Sequence, residues 1–339
     1  MPNFLARSLT FSILNISTKV FATFLCAPFS CSSLLFLSNR SVFLLDTLCK
    51  FPEVFSIFAR RSLESIGVSV IGGASGFWGD ASLATAQLLN GNDLDFIVYD
   101  YLAEITMAIL GRLRAKDPEQ GFAVDFITGA MVPNLAEIAR QKISIISNAG
   151  GVNPLACATA LRAEIEKQGL DLKVAVVTGD DLMEQIVALA DAAPKDMFTD
   201  AEFPVREKIG SANAYLGAFP IARALDAGAD IIVTGRVVDS AVTLGACIHE
   251  FGWGAQDYDA LASGSLAGHI IECGPQVCGG NFTDWDGIDG DIADIGYPVA
   301  SVSKDGSFDV SKPGGTAGRV SVGTVAEQML YEIGDPQAY

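Results

Sequence analysis

Only two of the 339 residues are histidine, His249 and His269, and the chain has no CxxC pair and no glycine before Gly67. With so little histidine, few side chains can exchange a proton near neutral pH, so acid–base chemistry has few possible carriers. The seven cysteines are an odd number, and their spacing fits neither a zinc site nor a disulfide framework. We therefore expect no metal site and a reducing compartment, and we predict a cytoplasmic protein.

Two nucleotide-binding patterns are also absent. The first glycine-rich turn, 72–76, reads G-G-A-S-G rather than G-x-G-x-x-G, and no GxxxxGK[ST] pattern occurs. We therefore predict no dinucleotide cofactor. Gly72 and Gly73 still allow a ligand anion to rest on the turn, because backbone N–H groups at a helix start favour anions. Close packing of a strand against a helix would need the same glycines, so both interpretations stay open.

Positive charge is scarce after Arg61. Residues 1–66 carry six Lys/Arg and three Asp/Glu, whereas the rest of the chain carries 16 and 37. Such an acidic body repels phosphate polyanions, which argues against nucleic acid and anionic membranes as partners. The expected partner is a small-molecule substrate.

Residues 1–66 differ in composition from the rest of the chain and are set apart as an N-terminal extension. Residues 1–45 contain three basic residues and no acid, a bias typical of mitochondrial transit peptides, which would place the protein in mitochondria. Residues 20–37 carry no charge over a length that just spans a bilayer. The stretch is rich in Phe, Ser, Leu and Cys, which also fits translated non-coding sequence. These three interpretations remain open, and the extension is left out of the fold prediction.

From Gly67 onward, short apolar runs alternate with helical patterns. Runs of Val and Ile predict buried strands at 68–71, 95–99, 143–147, 173–177 and 230–233. The alternation predicts an α/β domain over 67–339, with an open, mostly parallel, Rossmann-like sheet flanked by helices. Residues 253–264 read as turn-rich, and 297–302 with 307–310, joined around Asp305-Gly306, read as a short β-hairpin.

Ligands of open α/β sheets bind at the carboxyl ends of the strands. Polar or small residues follow the predicted strands there, at 72–76, Asp100, 148–153, 178–181 (which includes Asp180) and 234–239. Arg236 suits a carboxylate or phosphate of a substrate, although an internal ion pair with Asp239 is the competing interpretation. Asp181 and Glu184 match a helix-capping pattern better than a metal site. Asn153-Pro154 similarly matches an N-cap followed by proline at the first helical position. The predicted substrate-binding residues at this edge are Gly72, Gly73, Asn148, Gly150, Arg236 and Asp239.

The segment 268–281, G-H-I-I-E-C-G-P-Q-V-C-G-G-N, has the highest density of polar groups and glycines. His269 and Glu272 supply groups whose pKa values can be tuned toward neutrality for proton transfer. Cys273 is a candidate nucleophile, or else a small buried residue. We predict His269, Glu272 and Cys273 as catalytic, and Gln276, Gly279 and Asn281 as substrate-binding; a purely structural role for the segment remains the alternative.

Eight segments, in this order, resemble the acyclic terpene utilisation (AtuA-like) family across 67–339. They are IGGASGFWGD (71–80), LDFIVYDYLAE (94–104), SNAGGVNP (147–154), VTGDD (177–181), NAYLGA (213–218), DIIVTGRVVDSA (230–241), GHIIECGPQVCGGNF (268–282) and EQMLYEIGDPQAY (327–339). Family members continue further, so the resemblance implies a domain truncated at its C-terminus.

The resemblance implies a role in the breakdown of citronellol- and geraniol-type terpenes, whose acids are processed as coenzyme A thioesters. We therefore expect an enzyme or enzyme subunit that acts on a branched unsaturated acid or its acyl-CoA thioester. A hydratase or lyase reaction, which needs an acid–base pair and no redox cofactor, is the leading hypothesis. A homo-oligomer or a catabolic enzyme complex is expected. The alternative is a non-catalytic subunit that binds a ligand or stabilises such a complex.

Overall fold

A computed structural model of the chain describes residues 8–15, 18–25, 67–80, 82–91, 93–288 and 290–331. The chain divides into two compact units, 1–61 and 62–339. In the first unit, β1 (Ser8–Asn15) and β2 (Thr18–Leu25) form an antiparallel pair. The interpretations of residues 1–66 fall largely outside the described residues and stay predictions. Within the described part of the chain, no helix is both long and apolar enough to cross a bilayer.

The second unit is built on a seven-stranded sheet with the order β6-β7-β5-β4-β3-β8-β9. The first five strands in this order are parallel, whereas β8 and β9 form an antiparallel hairpin that pairs with β3. The predicted mostly parallel α/β sheet and the predicted hairpin are therefore confirmed. The strands are β3 (Val68–Gly73), β4 (Phe96–Tyr99), β5 (Ser144–Ser147), β6 (Val174–Val177), β7 (Ile231–Thr234), β8 (Val299–Ser303) and β9 (Phe308–Ser311).

Helices cover both faces of the sheet, as expected for parallel strands whose side chains are buried on both sides. The nine α-helices of the described residues are α1 (Ala84–Gly91), α2 (Glu104–Lys116), α3 (Leu135–Gln141), α4 (Pro154–Lys167), α5 (Ile186–Ala192), α6 (Phe219–Asp226), α7 (Ala241–Phe251), α8 (Tyr258–Ile271) and α9 (Val322–Leu330). A π-helical segment, Phe126–Met131, precedes α3.

Alternate residues of each strand enter two separate cores. Ile97 and Tyr99 pack with α1 to α4 on one face, whereas Phe96 and Val98 pack with α6 to α8 on the other. This period of two follows from the pleat of a strand. Burial on both faces fixes the sheet rigidly and leaves its carboxyl edge as the place where polar side chains collect.

Two local predictions were wrong. Residues 253–264 do not form only turns, because α8 begins at Tyr258 and runs to Ile271. Gly264 suits its position in this helix because a side chain there would crowd Leu244 and the ring of Trp253. The predicted cap of Asp181 and Glu184 is absent: Asp181 instead accepts a hydrogen bond from Met183 N, and α5 begins only at Ile186. By contrast, Asn153 caps α4 as predicted, with Pro154 in the first turn.

Candidate functional site

Three polar residues follow neighbouring parallel strands at the carboxyl edge of the sheet. Asp100 follows β4, Asn148 follows β5 and Arg236 follows β7; they are 7%, 0% and 3% exposed. Polar groups buried this deeply must be satisfied by hydrogen bonds or ion pairs. Their shared edge is where ligands of open α/β sheets bind.

Asn148 positions the Asp100 carboxylate. Its amide nitrogen donates a short hydrogen bond to Asp100 Oδ1, and its amide oxygen accepts one from Tyr101 N at 2.7 Å. Burial raises the pKa of Asp100 well above its ordinary value, and the nearby charges of Asp239 and Glu272 raise this pKa further. The bond from Asn148 and the charge of Arg236 lower the pKa without reversing the shift. Both polar groups of Asn148 thus form hydrogen bonds within the protein, and ligand binding by Asn148 stays a prediction.

Arg236 is held by protein groups on several sides. Its Nη1 atom donates to Leu102 O at 2.9 Å and to Asp239 Oδ1 at 2.6 Å. The ring of Tyr215 stacks on the guanidinium, with 4.1 Å between Cζ and the ring centroid. The internal Arg236–Asp239 ion pair, the competing interpretation from the sequence, is therefore present. The other guanidinium nitrogen, Nη2, is more weakly bound, because Glu104 Oε1 lies 3.7 Å from it.

Asp180 fixes the backbone that carries Arg236. Its Oδ2 atom accepts hydrogen bonds from Arg236 N at 2.8 Å and from Asn213 Nδ2 at 2.9 Å. Gly235 is required beside it, because a Cβ there would overlap with the Asp180 carboxylate. Asp180 thereby joins the loops after β6 and β7 to the segment 212–216, which carries Tyr215. Among the described residues, no group of three His, Cys, Asp or Glu side chains is arranged to hold a metal ion.

His269 and Glu272 form a pair where α8 ends. His269 Nδ1 lies 2.9 Å from Glu272 Oε1, and Nε2 lies 3.1 Å from Met329 O. The side chains are only 16% and 4% exposed. The C-terminus of a helix favours a positive charge, which suits a protonated imidazole at this position.

The end of α8 meets the edge of the sheet, so this pair and the strand-end residues form one cluster. Burial raises the pKa of Asp239, whereas the charges of Arg236 and His269 lower it. Glu272 in turn acts on the pKa of Asp100. We call Asp100, Arg236, Asp239, His269 and Glu272 the acid–base cluster. The charges of these three carboxyls and two basic groups act on one another, and carboxyls coupled in this way divide their protons unequally, which suits proton transfer.

The glycine-rich turn after β3 packs against the end of α8. A Cβ on Gly73 would overlap with the Ile271 carbonyl oxygen, and one on Gly76 would lie 2.7 Å from the Cys273 backbone. The packing interpretation of this turn is therefore the one that the contacts support. Gly72 faces the Leu88 side chain. A Cβ on Gly150 would overlap with Thr234 O, and one on Gly279 would overlap with the Ile288 side chain. Packing thus accounts for all the glycines predicted to bind substrate, and their ligand contacts stay predictions.

The other predicted residues of 268–281 lie at the outer part of this region. Cys273 is half-buried and adjoins Glu272. Gln276 lies on the 3-10 helix Gly274–Cys278, and its Oε1 atom is buried without a hydrogen-bond partner in the described structure. Asn281 is exposed. Catalytic or binding roles for these three residues remain predictions.

Four residues of this region were not among the predicted site residues: Asp100, Glu104, Asp180 and Tyr215. The sequence marked Asp100 and Asp180 as polar residues after strands, which is the signal that could have included them. Glu104 begins α2 and Tyr215 lies in a segment without regular structure. No sequence pattern links these two residues to Arg236.

A cleft of about 280 Å³ is lined in part by Asn213, which also donates a hydrogen bond to Asp180. Half-exposed Arg114 lies at its wall, where it pairs with Asp181 at 3.1 Å. Its lining residues are Gly111, Arg114, Ala115, Val152, Asp181, Met183, Gly210, Ser211 and Asn213.

Comparison with known proteins gives one match. The family model described as acyclic terpene utilisation family protein AtuA matches residues 69–339. No curated protein and no solved structure matches the chain. The matched range includes every member of the acid–base cluster.

Proposed function

The chain belongs to the acyclic terpene utilisation family, and on this premise we propose that it is a catabolic enzyme or the catalytic subunit of one. The proposed substrate is a branched unsaturated acid or its acyl-coenzyme A thioester. The proposed reaction is of the hydratase or lyase type: water adds across an activated double bond, or the reverse elimination occurs. Such a reaction needs an acid–base pair and no change of redox state.

The observation that carries this proposal is the His269–Glu272 pair, 2.9 Å apart and largely buried, beside a carboxyl of raised pKa. In hydration, one group removes a proton from water as its oxygen bonds to the β-carbon. A second group delivers a proton to the carbon next to the carbonyl. We assign the proton removal to Glu272, oriented by His269, and the delivery to Asp100, whose pKa burial raises.

Arg236 provides the anion-binding group in this proposal. Its guanidinium is one of few cations in an acidic chain and lies beside Asp239, whose pKa the charge of His269 also lowers. A carboxylate, or the polarised carbonyl of a thioester, bound at Arg236 would hold the double bond near the acid–base pair. Arginine suits this task because its planar donors match the geometry of carboxyl oxygens.

A screen in deuterated water tests the proposal. The purified protein is incubated with branched 2,3-unsaturated acids and their coenzyme A thioesters, and products are analysed by mass spectrometry. We expect a product heavier by one solvent water molecule, or deuterium at the carbon next to the carbonyl. His269→Gln should abolish the signal. His249→Gln is the matched control, because His249 also pairs with a carboxylate, Asp226 at 2.6 Å, outside the cluster. No product and no deuterium with any substrate would contradict the proposal.

A non-catalytic binding subunit is the second candidate. The observation that favours it is that Arg236 already has partners within the protein. Tyr215 covers its guanidinium, and Asp239 accepts a hydrogen bond from it. Such a subunit would bind the acid or thioester and contribute to a homo-oligomer or catabolic complex. Saturable binding of the same compounds without deuterium incorporation would support it.

A further inference from the structure

The outer face of Arg236 is covered by two side chains that also bind each other. Tyr215 stacks on the guanidinium, and its hydroxyl lies 2.5 Å from Glu104 Oε1. The same Glu104 oxygen lies 3.7 Å from Arg236 Nη2. One carboxylate oxygen therefore meets two donors, a guanidinium nitrogen and a phenol, at the solvent side of the acid–base cluster.

We propose that Glu104 occupies the place of a substrate carboxylate, and that a ligand bearing a carboxylate binds by displacing Glu104 from Arg236 and Tyr215. The inference rests on the proposed function and makes it more specific. It requires a carboxylate on the substrate, which a coenzyme A thioester of a simple monocarboxylic acid does not carry.

Glu104 is the weakly held partner of Arg236. Its side chain is 82% exposed, and its distance of 3.7 Å exceeds that of a hydrogen bond, whereas Asp239 is 2.6 Å away and 27% exposed. An exposed ion pair contributes little because water and salt screen it. Glu104 also stands at the first position of α2, where it can change rotamer without disturbing the helix. Asp239 and Leu102 would hold Arg236 in place during the exchange.

A carboxylate is the group that best fits the place left by Glu104. The free edge of the guanidinium and the Tyr215 hydroxyl supply two donors to adjacent oxygens, and charge-assisted bonds of this kind are strong. The hydrogen bond from Tyr215 lowers the pKa of Glu104, so the residue competes as an anion throughout the neutral range. Ile105, 72% exposed, follows Glu104 in the chain, and Val238, 45% exposed, lies two residues after Arg236; both offer apolar surface to a hydrocarbon chain.

Calorimetric titration with two small probes tests the inference. The first probe is 3-methylbut-2-enoate, and the second is the neutral 3-methylbut-2-enamide of nearly equal shape. Glu104→Gln should tighten binding of the acid by about two- to fivefold, the effect of removing one exposed competing charge, and leave the amide unchanged. Glu119→Gln is the matched control, since it makes the same charge change at an exposed position and should leave both affinities unaltered.

A signal from Tyr215 gives an independent measurement. In protein labelled with ¹³C at tyrosine Cζ, the resonance lost in Tyr215→Phe identifies this residue among the seven tyrosines. The acid should shift that resonance in the wild type, because Tyr215 exchanges Glu104 for the ligand. The inference is overturned if the acid does not bind, if Glu104→Gln leaves its affinity unchanged or weakens it, or if both probes respond alike.

The outcome of this binding experiment can be told apart from the outcome of the test of catalysis. Binding of the acid with displacement of Glu104, but no deuterium exchange, would retain the carboxylate site and contradict only the enzymatic proposal. Turnover of a thioester without binding of the free acid would retain the enzyme and contradict only the displacement of Glu104.

Discussion

His269 Nδ1 lies 2.9 Å from Glu272 Oε1, and the two residues stand one helical turn apart where α8 ends at the carboxyl edge of the sheet. The close fit of Gly73 and Gly76 against Ile271 and Cys273 brings this helix end to the edge. A pair formed within one helix thus reaches strand-end residues that are distant in sequence. The proposed proton transfer to a bound ligand requires this placement and not the pair alone.

Glu272→Gln is expected to remove the base while preserving the shape of the site. Deuterium incorporation into the substrate should fall by about 100- to 10,000-fold, the usual contribution of a positioned acid or base. Substrate affinity should change little, because Arg236 remains. Glu164→Gln, which breaks an exposed pair with Lys167, should have no effect on exchange. A Glu272→Gln protein that exchanges deuterium like the wild type would remove Glu272 from the mechanism.

Arg236→Ala is expected to lower the free energy of unfolding by about 3 kcal/mol, because it leaves the Asp239 carboxylate without its buried partner. The variant should also lose affinity for 3-methylbut-2-enoate. Urea unfolding and calorimetry measure the two effects. Arg140→Ala breaks the exposed pair with Glu137, which has the same spacing, and should cost less than about 1 kcal/mol. Normal acid binding in Arg236→Ala would show that Arg236 is purely structural.

Asp100→Asn should change how stability depends on pH. The folded chain, in which the pKa of Asp100 is raised mainly by burial, retains a proton that the unfolded chain releases above about pH 4. Wild-type stability therefore falls as pH rises from the unfolded pKa toward the folded pKa. Asparagine cannot ionise, so the free energy of unfolding of the variant should rise relative to that of the wild type by up to about 1.4 kcal/mol per pH unit in that window. Urea unfolding at a series of pH values measures the difference; parallel profiles would show that the Asp100 pKa is not raised.

Gly73→Ala is expected to destabilise the protein by about 1–3 kcal/mol, because its methyl group would overlap with the Ile271 backbone, which cannot move aside like a flexible side chain. Gly314→Ala is the control, since no atom lies within 4 Å of the added methyl group. Thermal unfolding compares the two variants. Equal melting temperatures would mean that the β3 turn and the end of α8 do not pack closely.

Removal of residues 1–66 should leave the melting temperature of the remaining chain unchanged. Residues 1–61 separate from 62–339 as a compact unit of their own, and their composition lacks the pattern of the α/β domain. Calorimetric unfolding of the full chain and of residues 67–339 tests this expectation. A large drop in melting temperature would show that the extension stabilises the domain.

The sequence alone determined the class of fold and several local features of this protein. Runs of Val and Ile marked the buried strands, Asn153-Pro154 marked the start of α4, and Asp305-Gly306 marked the hairpin of β8 and β9. These features depend on neighbouring residues: the pleat of a strand, the unsatisfied N–H groups of a helix start and the geometry of a turn. They can therefore be predicted without knowledge of distant contacts. Helix α8 was missed because its glycines and serines suggest turns, whereas Gly264 packs closely against Trp253 and Leu244 within the helix.

Only the tertiary structure decided which polar residues meet. Asp100, Arg236 and Glu272 lie on three separate segments, and the strand order β7-β5-β4 together with the end of α8 brings them to one place. Tertiary structure also decided that Asn148 holds Asp100, that Tyr215 and Glu104 cover Arg236, and that the glycines after β3 accommodate a helix end. The physical reason is that a local pattern reports the conformation of its own segment. Charge interactions and close packing, by contrast, depend on distances between segments that the chain sets only when the whole sheet has formed.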